Sequence, residues 1–467
     1  MKRTYAFATS IITTLLIISP FAIVAASSSS SGSDFYYSPL AKWTQATPDG
    51  SDPQGIPLCG SGGGTIVCYS PGFISTAYNF PSSLDGTGQT IVIVDAYGSP
   101  TISEDLVTFD STFGIPAPPS FTILCPQGGC PKTLTAGPHD PIGWGVETSL
   151  DVEWAHAMAP GADIVLVVAA SSSGNDINVA ETRAISLFPG SIISQSFGIP
   201  EAFIHNNNAQ VMQAHKNYLA AVAAGDTVLA SAGDFGSTNG FSFTNALFPS
   251  SDPLVTSVGG TMGFPYIPIG TLTSCPALTI CTSGLSTYLG PCTNPRLNGP
   301  NCTPIGYGGE QVWNEPSVSP GFATGGAPSI LFTSVPTFQS GLGLSARTTP
   351  DISYNAAIDG GVLVKASFLS AAGFFVVGGT SAGSPQWASI FAIVNQQRAL
   401  NSMSTIGFAN GAIYSLTAAQ KALAFHDITI GDDKLPSTAP GFTAVAGYDA
   451  ASGWGTPNVA NLVTYLS

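Results

Sequence analysis

Thr90-Ile91-Val92-Ile93-Val94-Asp95, introduced by Gly86-Thr87-Gly88-Gln89, is the stretch whose reading decides the fold. Four successive apolar residues, Ile91 to Val94, leave no polar alternation, so a strand here is buried on both faces, as in a parallel sheet covered by helices. The pattern recurs at Ala162 to Val168, Ser191 to Ser194 and Thr227 to Ser231, with helical segments at Thr148 to Met158 and Ala209 to Ala223 between the strands. This alternation predicts an α/β protein with a doubly wound, mostly parallel sheet and helices on both faces. No fixed-period repeat is present, which disfavours solenoids and propellers.

Outward from that core, the start of the chain reads as a targeting segment. Lys2-Arg3, an apolar run from Ile11 to Val24 and the small residues Ala25, Ala26 and Ser27 form a signal peptide, residues 1–26, cut after Ala26. Thr13, Thr14, Ser19 and Pro20 interrupt the run, which is short for a bilayer span. Asn458 to Ser467 offer no second apolar run, so release into the extracellular space is expected, with no membrane association after cleavage. Residues 27–64 are rich in Ser, Gly and Pro and read as a flexible lead-in, with order expected from near Cys68. Residues 65–467 are read as one domain.

Charged residues make up only 8% of the chain, 12 basic against 27 acidic, which excludes a nucleic-acid footprint. So few Lys and Arg would spare the protein strong positive self-repulsion in an acidic medium; a neutral Ser/Thr-rich surface is the plain alternative. The eight cysteines fall as close neighbours, Cys59 with Cys68, Cys125 with Cys130, Cys275 with Cys281 and Cys292 with Cys302, and local disulfides are the economical expectation. Zinc-type spacings are absent. Gly270 to Gly309 read as a disulfide-pinned surface loop that contains a glycosylation triplet, Asn301-Cys302-Thr303.

The strongest local motif is Val376-Val377-Gly378-Gly379-Thr380-Ser381-Ala382-Gly383-Ser384-Pro385. Its glycines allow close backbone approach, Ser381 stands where a loop enters a helix, and Pro385 suits a first helical turn. A helix cap is the ordinary alternative for such a serine. The same residues satisfy G-x-S-x-G, so a secreted α/β-hydrolase-type esterase competes. That enzyme needs an acid and then a histidine after the serine, and only His426 follows, beside Asp427. None of His139, His156, His205, His215 or His426 lies in a His-Gly-Thr string, so another group would have to take the Ser381 proton.

Glu147 and Asp151 are spaced i and i+4, which stacks their carboxyls on one helical face. Two such acids share a proton, leaving one base and one acid usable at low pH; a solvated acidic face is the alternative. In Leu229-Ala230-Ser231-Ala232-Gly233-Asp234, Asp234 follows an apolar strand at the carboxyl edge of the sheet, where α/β ligand sites lie. Protonated, it could donate to an oxyanion; a turn aspartate is its plain reading.

Taken in order, Glu147-x-x-x-Asp151, Ser231-Ala232-Gly233-Asp234 and Gly379-Thr380-Ser381-Ala382-x-x-Pro385 resemble the sedolisins, the serine-carboxyl peptidases. Gly86 to Thr90, Ala159-Pro160-Gly161-Ala162, Ser257 to Thr261 and Pro350-Asp351-Ile352-Ser353 extend the resemblance from about Tyr69 to the C-terminus. It implies a subtilisin-like fold and a secreted serine-type peptidase acting on protein or peptide substrates at acid pH, as a monomer and an endopeptidase, with tripeptidyl-peptidase action left open. Ser381 would be the nucleophile, Glu147 the general base and acid, Asp151 its orienting partner, and Asp234 an oxyanion donor with the Ser381 N–H. Asp95 matches a position where some members carry a supporting acid. The strand around Ser194 to Gly198 and the turn at Ser257 to Thr261 should flank the substrate.

The resemblance also implies one structural calcium ion, held by carboxylates of Asp427 and Asp449 and carbonyls of Ile428, Val445 and Gly447, hard oxygens that suit Ca²⁺. The chain departs from the family's pattern in one respect. A long folded propeptide is expected before the first matching string, whereas about forty residues stand there, so the protein either folds unaided or needs only a short lead-in. A non-catalytic surface-binding protein remains the third reading.

Overall fold

The computed structural model describes residues 34–48, 58–61, 64–130, 132–204, 208–263, 307–316, 321–369, 373–435 and 439–467. The signal-peptide stretch, His205, the glycosylation triplet, the four later cysteines and nearly all of the Gly270 to Gly309 loop lie outside them.

Thr90–Ala96 is the strand expected, near the middle of an eight-stranded sheet. Asp163–Ala169 and then Phe121–Leu124 follow on one side of it; Ile192–Gln195, Thr227–Ser231, Thr256–Gly263 and Ile352–Asn355 follow on the other. All these pairings are parallel; only the short strand Glu310–Val312 runs antiparallel to its neighbour. Alternate side chains of the first strand enter opposite cores. Ile91 and Ile93 pack with Val146, Leu150 and Trp154 of the helix Pro141–Met158 and with Trp387 and Phe391 of the helix Gly383–Leu400. Val92 and Val94 pack with Ile177 and Ala180 of Gly174–Leu187 and Ala214 and Tyr218 of Ala209–Ala224. A strand apolar at every position is thereby satisfied, and the doubly wound, subtilisin-like α/β fold is the outcome.

Two disulfides expected from spacing are formed, Cys59–Cys68 and Cys125–Cys130. The helix carrying the paired acids begins at Pro141 rather than near Thr148. Pro141 sits in its first turn, and the Asp140 carboxylate accepts the Gly143 N–H at 3.1 Å, a cap strong enough to draw Gly143 and Gly145 into the helix. Ser257 to Thr261 are not a turn but part of the central strand Thr256–Gly263. Two of its glycines serve close packing: a Cβ on Gly259 would come within 2.7 Å of Pro350 Cγ, and one on Gly260 within 2.8 Å of Ala356 Cβ.

The structure differs most from expectation at residues 34–48, which are ordered and extended rather than a flexible lead-in. Ser38–Pro39 pairs antiparallel with Phe197–Pro200, and Lys42–Pro48 pairs with Gly373–Gly378. The latter pairing closes a five-stranded barrel with Leu58–Ser61, Gly64–Tyr69 and Gly361–Ala366. Low hydrophobicity misleads here, because the order comes from backbone hydrogen bonds to distant strands and from a few anchors such as Tyr37 and Leu40, which are buried.

Candidate active site

Three segments converge at the carboxyl ends of the parallel strands. The strand Gly373–Gly378 ends at Gly379, whose φ of +104° turns the chain so that Ser381 stands at the mouth of the helix Gly383–Leu400. No side chain fits at Gly379: a Cβ would lie 2.5 Å from the Leu40 carbonyl oxygen and 2.8 Å from Asp234 Oδ2. Asp234 follows the strand Thr227–Ser231, and its Oδ1 accepts both the Thr380 N–H and the Thr380 hydroxyl at 2.8 Å. Its Oδ2 has no hydrogen-bond partner among the described residues, and Lys42 Nζ lies 3.6 Å away.

Glu147 and Asp151 project from successive turns of Pro141–Met158, which is buried along nearly its whole length and is tied to the serine-bearing helix by the Ser389 hydroxyl donating to Ala155 O at 2.8 Å. Glu147 Oε2 accepts the N–H groups of Leu40 at 2.6 Å and Ala41 at 2.7 Å. Oε1 has no such partner and is open to Ser381, whose hydroxyl is close enough to hold the Glu147 pKa down against the rise that burial causes. That hydroxyl carries one hydrogen, which donates to Ser196 O at 3.2 Å; rotation about the Cβ–Oγ bond would turn it to Glu147. Neither oxygen of Asp151 or of Asp95 has a hydrogen-bond partner among the described residues.

Glu147, Asp151, Asp95, Asp234 and Ser381 are all fully buried. Burial pushes the pKa of each of the four carboxyls up; mutual repulsion with Asp95 adds to the rise at Glu147 and Asp151, and Lys42 pulls Asp234 back. These causes sort the charge. Acids this close share protons, so the cluster carries fewer charges than it has carboxyls, and Glu147, which receives two backbone N–H donors, is the member best supplied to support an anion. The result is a carboxyl beside a serine, backed by two further buried acids, with another carboxyl across the Gly379 turn.

Among the described residues no histidine takes part. His426 lies in a short strand and stacks on Tyr307 with ring centroids 3.5 Å apart. His139 stacks on Tyr36, His156 lies 3.3 Å from Asp110, and His215 is bonded to Asp252. The esterase reading therefore loses its base. Sequence reasoning missed Lys42, Leu40, Ala41 and Ser196. Ser196 stands inside a flanking string already singled out, whereas nothing local marks the other three.

Asp427 and Asp449 are gathered onto one loop, since Gly447 N donates to Asp427 Oδ2 and Val445 N to Asp449 Oδ2, both at 2.9 Å. Asp449 Oδ1 is further fixed by the N–H groups of Ala451 and Ser452. Two carboxylates bound to the loop that carries the expected carbonyls form a hard-oxygen donor set that fits a calcium ion. Among the described residues no group of three or more His, Cys, Asp or Glu could hold a metal, as expected for a site with only two acidic side chains.

With this geometry in view, the likenesses to known proteins fall into place. Kumamolisin from Bacillus sp. (strain MN-32) is 30% identical over 404 residues, covering 84% of this chain and 62% of kumamolisin. Human tripeptidyl-peptidase 1 is 27% identical over 338 residues, covering 69% of this chain and 52% of that protein. The solved structure of Pseudomonas sedolisin, a serine-carboxyl proteinase complexed with two molecules of pseudo-iodotyrostatin, superposes with a TM-score of 0.65 at 25% identity, covering 86% of this chain and 99% of that one. No family model matches. The fold is subtilisin-like, and among the described residues it gathers Ser381, Glu147 and Asp151 with no histidine beside them. The chain belongs to the sedolisin family. It spans about three fifths of the length of kumamolisin and about half that of tripeptidyl-peptidase 1.

Proposed function

We propose that the protein is a secreted, acid-acting serine-carboxyl peptidase that hydrolyses peptide bonds in protein or peptide substrates. The observation that carries this reading is the placement of Glu147 beside Ser381, with Asp234 across the Gly379 turn and no histidine in reach among the described residues. Ser381 attacks the scissile carbonyl as Glu147 takes its proton, and Glu147 then returns that proton to the leaving amine. Asp151 keeps Glu147 oriented and shares the proton load. Asp234, protonated because it is buried, donates to the developing oxyanion together with the Ser381 N–H. Ionised, it could not donate, so the rate falls as the pH rises through its titration.

The two disulfides, the signal-like start and the scarcity of charge all suit an extracellular, acidic setting. Among the described residues no helix is long and apolar enough to cross a membrane. Asp427, Ile428, Val445, Gly447 and Asp449 would hold one structural calcium, which cross-links the C-terminal loop. We read the protein as a monomer and as an endopeptidase; the tripeptidyl-peptidase among its relatives makes the length of the released products the deciding measurement.

Digestion of a peptide library across pH tests the proposal. The expected result is internal cleavage with an optimum well below neutrality, abolished in Glu147→Ala. An alkaline optimum, or full activity in that variant, overturns the carboxylate mechanism.

A further inference from the structure

We propose that Asp433 is a positioning residue for the oxyanion acid, bracing the turn that carries Asp234. The inference rests on the peptidase reading above and adds to it a side chain from a distant C-terminal segment.

Two braces hold the turn formed by residues 233–237. One is backbone: Gly325 N donates to Gly233 O at 2.7 Å, Ala323 N to Asp234 O at 3.1 Å and Gly236 N to Ala323 O at 3.0 Å. The other is a pair of chain legs, residues 431–435 and 439–444. Asp433 N donates to Phe442 O at 3.1 Å, Ala444 N donates to Gly431 O at 3.0 Å, and Asp432 bridges Thr443 antiparallel. These legs meet the turn at two points. A Cβ on Gly236, whose φ is +65°, would lie 2.5 Å from Asp433 O, and the Ser237 hydroxyl donates to Pro440 O at 2.9 Å. At their base the legs run into residues 427–428 and 445–449, which Gly447 N ties together through Asp427 Oδ2. One element therefore joins the loop read as the calcium site to the turn bearing Asp234.

The Asp433 side chain closes this second brace. It is fully buried; Oδ1 accepts the Phe442 N–H at 2.6 Å, and Oδ2 has no hydrogen-bond partner among the described residues. The opposite leg is drawn tight against it, since a Cβ on Gly441 would lie 2.7 Å from Oδ1. Burial pushes its carboxyl up, the neighbouring Asp432 adds to the rise, and the Ser237 hydroxyl is close enough to ease it. An acid kept in the interior with an oxygen unfilled costs stability, and this one stands where the two legs and the hydroxyl of the turn come together. Truncating it strands the Phe442 N–H and leaves the turn room to shift. Asp234 has to meet the oxyanion at about 3 Å, and a displacement of about 1 Å at such a contact costs rate heavily. The contact is made in the transition state, so the loss falls on kcat and spares KM.

The test compares the full chain with Asp433→Ala and Asp433→Asn, each checked by thermal unfolding, in peptide hydrolysis at about pH 4 and in the binding of a peptide aldehyde. That probe bonds its carbonyl carbon to Ser381 Oγ, the hydroxyl proton passing to Glu147, and so places an oxygen where the oxyanion forms. Asp433→Ala should lower kcat and aldehyde affinity alike, by about 10-fold or more, with KM within about twofold of the parent. Asp433→Asn, which has the shape of the protonated acid, should retain both values. In an Asp234→Ala background, Asp433→Ala should cost little further aldehyde affinity, because the second residue acts through the first. Ser237→Ala cuts the same brace at the turn; it should show the same pattern at smaller size, and it decides the question if Asp433→Ala does not fold. A raised KM with kcat unchanged, a loss in Asp433→Asn equal to that in Asp433→Ala, or additive losses in the double variant overturn the assignment and leave the peptidase reading standing. A folded parent chain that hydrolyses no peptide overturns both.

Discussion

Asp351 and Asp151 are both fully buried, yet their surroundings differ at every lone pair. Asp351 takes both arms of Arg347, at 2.6 and 2.5 Å, and also accepts from Tyr414, from Ser257 N and from Asn410. Asp151 has no hydrogen-bond partner and no cation among the described residues; the Ser196 hydroxyl near it donates to Ser381 O instead. Its nearest charged groups are other acids, Asp95 and Glu147. A buried carboxylate that holds a fold together has its acceptor sites filled, because an unfilled one costs stability. One kept for proton transfer is left unsatisfied, so that its proton can come and go.

The contrast can be broken most forcefully at Ser381. Ser381→Ala should lower peptide hydrolysis by about 10⁴-fold or more while leaving the melting temperature almost unchanged, as read by steady-state rates and calorimetry. Asp351→Ala should do the reverse. Stranding the Arg347 guanidinium in the interior should destabilise by about 3–5 kcal/mol, read by denaturant unfolding, with catalytic constants of the surviving folded fraction near normal. If Asp151→Asn were as destabilising as Asp351→Ala, the distinction between the two clusters would fail.

A third test uses pH. Glu181 is buried and pushed up to about 7, and Asp226 to about 6, in each case mainly by desolvation. A carboxyl whose folded pKa is raised gives stability that is full below its unfolded value near 4 and is lost as the pH climbs through the folded value. For Glu181 alone, the rise from 4.5 to about 7 corresponds to roughly 3 kcal/mol. His426, buried and lowered to about 4, acts oppositely, its contribution being lost as the pH falls from 6.5. Because the carboxyls outnumber it, the melting temperature should be higher near pH 4.5 than near pH 8.

Calcium gives a smaller effect. At a concentration about 100-fold above its Kd, binding should add about 2.7 kcal/mol, seen as a drop in melting temperature on chelation that disappears in Asp449→Asn. Smallest of all, Lys42→Met removes the cation that pulls Asp234 down, so the alkaline limb of the pH–rate profile should move up by less than about one unit.

How much of this was legible in the sequence depends on where each signal resides. Ile91 to Val94 announce a strand buried on both faces because four adjacent side chains carry the information. Glu147 and Asp151 announce one helical face because the turn of a helix spaces them, and Cys59 with Cys68 or Cys125 with Cys130 lie too close in sequence to avoid each other. The helix start at Pro141 was obscured by Gly143 and Gly145, which count against a helix locally and are overruled by the Asp140 cap. Gly259 and Gly260 suggested a turn, although they serve the packing of a central strand against Pro350 and Ala356.

Residues 34–48 are the other extreme. Tyr36-Tyr37-Ser38-Pro39-Leu40-Ala41-Lys42 has no apolar period and no repeat, so nothing in it speaks of order. Its conformation is written in the strands Phe197–Pro200 and Gly373–Gly378, more than 150 positions away, and in a glutamate on a third element. The sequence by itself therefore determined the sheet, its covering helices and the four candidate side chains proposed to react, because short-range periodicity and motif order are local properties of the chain. Only the tertiary structure decided that Leu40 and Ala41 would hold the Glu147 carboxylate and that Lys42 would face Asp234. Backbone pairing across such separations depends on which edges the finished sheet leaves open, and no single segment carries that information.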